Sequence, residues 1–133
     1  MKVLVFDTSA LLALLFDEPG AEIVEALMHH ASDKEQPMLI SAVNWAEVCY
    51  RVEAKRGREA LVRAKEFASH TRIAVIPADR ELAESAAAYK AADTLALADA
   101  FAAALAKHRK AELVTADHEF KSVEREIKIA WLR

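Results

Sequence analysis

Five short apolar or β-rich runs recur along the chain: VLVF (3–6), MLI (38–40), IAVI (73–76), ELVT (112–115) and IKIAWL (127–132). Most are nearly continuous in hydrophobicity instead of alternating, the pattern of strands buried on both faces. Longer stretches of helical character separate them, over Ala10–Phe16, Ala21–His30, Ala42–Arg56, Arg58–Ser69, Asp79–Ala91 and Leu95–Lys107. Strands alternating with helices, joined by right-handed crossovers, predict a three-layer α/β/α sandwich around a mostly parallel four- to five-stranded central sheet. With 133 residues, 54% of them hydrophobic, one domain over 1–133 with a real core is expected.

Composition removes several functions. The two glycines, Gly20 and Gly57, assemble neither a dinucleotide-binding GxGxxG loop nor a phosphate-binding P-loop. One cysteine, Cys49, excludes an internal disulfide, and no Cys/His group has zinc-ligand spacing. The apolar run ALLALLF is far shorter than the roughly 18 residues of a membrane span, and no signal-peptide pattern follows Lys2, so a cytoplasmic protein is expected. A net charge of −3 argues against broad nonspecific nucleic-acid binding but leaves room for a local basic face or a carboxylate site.

In open parallel sheets, ligands bind beyond the carboxyl ends of the strands where the winding reverses. Acids gather at those positions. Asp7 follows the first run and either caps the next helix or holds a ligand; both roles are compatible. Glu47 lies one to two turns into the helix after the second run, a ligand or a solvent-facing glutamate. Asp99, flanked by Leu95, Leu97, Ala98, Ala100 and Phe101, stands near a helix start as a cluster carboxylate or an N-terminal cap. Asp117 follows the fourth run, as a ligand or an Asx-turn residue. Convergent carboxylates either protonate or bind cations, and an all-oxygen donor set selects Mg²⁺ or Mn²⁺ over zinc. Ser9, Thr115 and Asn44 are candidates to support them, through hydroxyls near the acids and an amide three residues before Glu47 on one helix face. Such an ion suits hydrolysis of a phosphodiester.

At these residues the chain resembles PIN-domain proteins, and among them the small VapC-type toxins of toxin–antitoxin pairs. VLVFDTSALLALLFDEPGAE is similar to that family's start, ISAVNWAEV to its second motif, LALADAFAAALA to its third and LVTADHEF to its fourth. The resemblance runs through the whole chain in order. It implies a metal-dependent endoribonuclease, held inactive by a cognate antitoxin, dimeric, with Asp7, Glu47, Asp99 and Asp117 as the acids. Two positions depart from the pattern. Ala96 replaces a frequent capping serine, so Asp93 or Thr94 is expected to start the third-motif helix about a turn earlier. Ala116 replaces a frequent glycine, which asks for a turn without positive φ.

The basic stretch RVEAKRGREALVRAK is either a solvated helix pair or, through Lys55, Arg56 and Arg58, one wall of an RNA path. Leu11–Phe16 and the helices after it are expected to form a groove for an amphipathic antitoxin helix. A haloacid-dehalogenase phosphatase needs a second Asp where Ser9 stands, and a phosphate-receiver domain needs an acceptor after a middle strand, where only Asp79 follows. From another class, a catalytically inactive binding or assembly module remains the alternative.

Overall fold

The computed structural model describes residues 2–133. Strands β1 (Leu4–Phe6), β2 (Met38–Ser41), β3 (Ile73–Ile76), β4 (Glu112–Thr115) and β5 (Lys128–Trp131) form one sheet in the order β3-β2-β1-β4-β5, and every pairing is parallel. Helices α1 (Thr8–Leu15), α2 (Ala21–Asp33), α3 (Ala42–Arg56), α4 (Arg58–His70), α5 (Arg80–Ala92) and α6 (Leu97–Arg109) connect the first four strands, and a 3₁₀ turn (His118–Val123) precedes β5. The expected three-layer α/β/α architecture is the observed one, with five strands, all parallel.

The two cores follow from strand pleating, which sends successive side chains to opposite faces. Leu4, Phe6 and Ile40 pack with Leu11, Val24, Val48 and Ala64 of α1–α4. Val5, Leu39 and Leu113 pack with Leu82 and Ala86 of α5 and with Ala100–Ala106 of α6. Every residue from Ala100 to Ala106 is buried, because alanine lets α6 lie close to sheet and neighbour at once. Gly57, at φ +90, breaks the chain between α3 and α4 in a conformation that a side chain disfavours.

From β1 the chain winds outward through β2 to β3, then returns across the other face to place β4 on the opposite side of β1. The winding therefore reverses between β1 and β4. Asp7 and Thr115–Asp117 stand at that switch point.

One boundary differs from expectation. Neither Asp93 nor Thr94 starts α6: the Asp93 N–H bonds back to Tyr89 O and closes α5, and α6 begins at Leu97 with Ala96 extended before it. Helices α5 and α6 pack against each other, so the chain must reverse between them. Leu95, fully buried, anchors that reversal, and a helix starting at Asp93 would abolish it. Ala116 turns without positive φ, as expected; the non-glycine residues that adopt it are Asp17, Glu35 and Lys110.

Candidate active site

Asp7 ends β1 and caps α1, its Oδ1 accepting the Ala10 N–H at 2.9 Å. Ser9 Oγ donates to both Asp7 oxygens at 2.8 and 2.9 Å, and Thr115 Oγ1 donates to Oδ2 at 2.6 Å. The carboxylate is thus surrounded by donors, yet only 1% exposed. Burial outweighs the hydrogen bonds and pushes its pKa up to about 6.

The same hydroxyls shape the facing loop. Ser9 Oγ accepts the Ala116 N–H and Thr115 Oγ1 accepts the Asp117 N–H, both at 2.9 Å. Asp117 then makes an Asx-type turn, its Oδ1 accepting the Glu119 N–H at 2.9 Å. That turn brings Glu119 alongside. Carboxylate oxygens of Asp99, Asp117 and Glu119 all lie within 4.8 Å of one another.

Asp99 is the third residue of α6, in its first turn. No N–H or hydroxyl donor reaches its carboxylate among the described residues. Burial, then the charges of Asp117 and Asp7, the carboxylate contact with Asp117 and the charge of Glu47 raise its pKa to about 8. A half-buried carboxylate so placed takes a proton or a cation at neutral pH.

Glu47 is half-buried on α3, but the Arg51 guanidinium one turn on stands 3.9 Å from its carboxylate. Asp7 and Glu47 are not in the close set of three, but the charge of each reaches Asp99; donors surround the first and a guanidinium faces the second. Glu119 joins the set, although the sequence draws no attention to an exposed Glu two residues beyond Asp117. The spacing Asp-x-Glu after a strand, together with the Asx turn, is the signal that would have found it.

Asn44 is fully buried with its amide spent: Oδ1 accepts from Ser41 Oγ, and Nδ2 donates to Thr8 Oγ1 and Ala98 O, both at 3.1 Å. It ties α1, β2 and the start of α6 together, fixing the backbone beside Asp99, and leaves no group for water or substrate. Lys55 and Arg56 lie over the Phe16 ring, at 4.4 and 5.1 Å from its centre. Arg58 faces Glu53 at 3.9 Å. Lys55 and Arg56 thus meet at one ring, and Arg58 pairs with Glu53 instead. Leu11–Ala13 are buried in the core, whereas Leu15 and Phe16 open into a 380 Å³ groove with Val52, Arg56, Ala64 and Phe67.

The carboxylates thus gather at the switch point of a parallel sheet in an α/β/α sandwich. The PIN domain family profile matches residues 4–126, and the chain belongs to that family. Its fold is similar to that of DNA-bound VapBC from Salmonella typhimurium (21% identity, covering 100% of each chain, TM-score 0.81). It is also similar to VapBC2 from Rickettsia felis bound to a DNA fragment from its promoter (17%, 96% of this chain and 97% of that one, 0.79). VapC20 from Mycobacterium tuberculosis, a toxin that cleaves the sarcin–ricin loop, shares 18% identity over 90% of this chain and 94% of that one, with a TM-score of 0.74. Comparison with curated proteins returns no match. Among the described residues, no helix is long and apolar enough to cross a membrane.

Proposed function

We propose that this protein, acting as a single nuclease domain over 1–133, is a metal-dependent endoribonuclease toxin restrained by a cognate antitoxin. One observation carries the reading: the Asp99 carboxylate faces Asp117 and Glu119 without a donor to neutralise it. The donor set is all oxygen, which fits Mg²⁺ or Mn²⁺. Asp99 and Asp117, joined by Glu119, would hold the ion, with Asp7 and Glu47 adding negative potential from behind and beside. When bound, the ion supplies a Lewis acid that polarises the phosphodiester and acidifies a water. Ser9 and Thr115 hold Asp7 and the Asp117 loop in register, which keeps the acids converged in the absence of a ligand.

The VapBC neighbours support an antitoxin partner, and the apolar groove at Leu15, Phe16 and Phe67 suits an amphipathic helix. A cytoplasmic homodimer completes the proposal. Antitoxin-free protein incubated with total cellular RNA is expected to yield discrete fragments with Mg²⁺ or Mn²⁺ and none with EDTA. Uncut RNA, together with a melting temperature indifferent to Mn²⁺, would instead identify an inactive binding module.

A further inference from the structure

A polyanionic substrate must approach Asp99, Asp117 and Glu119 on a chain whose net charge is −3. Cations beside the acids have to supply the attraction. Two clefts meet at that edge. The first, 450 Å³, lies between Ser9, Asp117, His118 and Arg133. The second, 530 Å³, shares Ser9 and Arg133 and continues to Phe16, Arg51 and Lys55. Shared walls make them one groove, leading from the acid cluster onto a surface where Arg51, Lys55 and Arg133 face Glu18.

Arg51 stands where the two environments join. Its guanidinium is 3.9 Å from Glu47, whose charge reaches Asp99, and its side chain is 53% exposed, free to face a ligand in the groove. Lys55 is anchored over the Phe16 ring further along, so the groove pairs cations with an aromatic wall. Arg56 opens instead into the apolar groove, and Arg58 faces Glu53.

We propose that this groove is the path of the RNA on either side of the acids, with Arg51 and Lys55 holding phosphates that flank the one at the acids. The inference rests on the nuclease reading and adds to it the path and the two side chains that hold it. Continuity with the acid cluster favours RNA over an acidic peptide as occupant.

The test uses Asp99→Asn protein, expected not to cleave, and a fluorescein-labelled mixed-sequence single-stranded RNA of about a dozen nucleotides. Adding Arg51→Gln and Lys55→Gln together should weaken binding about tenfold or more and flatten the slope of log K against log salt by about 1.4, near 0.7 for each phosphate contact. Arg58→Gln should leave both unchanged. Binding and slope equal to those of the Asp99→Asn parent would overturn the track, as would an equal loss in Arg58→Gln. So would normal RNA binding alongside lost binding of a polyglutamate peptide, which makes the groove a protein-docking surface. Cleavage by the native chain with Mn²⁺ separates the two levels: its absence removes the nuclease reading, whereas cleavage with unchanged binding in the double variant removes only the track.

Discussion

The two ends of the sheet treat acids in opposite ways. At the amino ends of the strands Glu112 is buried, and its carboxylate lies 3.3 Å from Lys2 Nζ and 3.3 Å from Lys128 Nζ, contributed by the segment leading into β1 and by β5. At the carboxyl ends Asp99, Asp117 and Glu119 crowd together with no cation in the set, and Arg51 faces Glu47. The same sheet thus neutralises a lone carboxylate at one end and leaves several exposed to each other's charge at the other. Crowding of that kind lowers the stability of the empty fold, and a bound cation recovers it. The carboxyl-end cluster is organised for a ligand; Glu112 is organised for the fold.

The sharpest way to break this contrast is Asp99→Asn. Loss of the ligand should lower RNA cleavage by about 10³-fold, the order expected when a Lewis acid worth several kcal/mol is no longer held. The variant should melt at or above the parental temperature in EDTA, because repulsion with Asp117 and Asp7 is removed. Parental cleavage rates would end the assignment.

A smaller effect comes from pH. Asp99 and Asp7 have folded pKa values of about 8 and about 6 against an ordinary 3.8, so between those limits the folded state holds protons that the unfolded state has released. Stability is then greatest at the acid end and declines as pH rises through the folded values. Compared with Asp99→Asn, the metal-free parent should lose melting temperature progressively from pH 5 to pH 9. Saturating Mn²⁺ should oppose that decline, since the ion competes with protons for the same oxygens. A parent that tracks the variant at every pH would mean that the acids are not crowded in solution.

Much of this architecture was legible beforehand, for identifiable reasons. IAVI is a continuous apolar run and ELVT a β-rich one, and β3 and β4 coincide with them. Helix α3 runs from Ala42 to Arg56 as expected because Ser41 caps it and Gly57 ends it, both local signals. The start of α6 was not legible. Asp93 and Thr94 are good capping residues by local chemistry, and the reversal of α5 onto α6 overrides them. The site divides along the same line. Asp99 and Asp117 carry their signal in flanking residues, whereas the entry of Glu119, the ion pair of Glu47 and the spent amide of Asn44 depend on distances between elements far apart in sequence.

Thr115→Val tests how the crowded end is held. The hydroxyl donates to Asp7 and accepts from the Asp117 N–H, so its loss leaves a buried carboxylate short of a donor and a loop short of an acceptor. A cost of about 1–3 kcal/mol is expected, read by urea denaturation at pH 7, with weaker Mn²⁺ stabilisation because the Asp117 loop loosens. An unchanged midpoint and unchanged metal response would make the hydroxyl dispensable.

Glu112→Gln should have the smallest effect, and for an instructive reason. Glu112 itself is only 10% exposed, but its partners are 45% and 76% exposed, so both lysines rehydrate when the carboxylate is lost. The pairs are screened accordingly, and a cost of about 1 kcal/mol or less is expected, shrinking as salt is added. Mn²⁺ should stabilise this variant as much as it does the parent, because the acids at the opposite end are untouched. If Glu112→Gln instead abolished the metal response, the two ends would be coupled through β1 and β4, and the division of labour between them would fail.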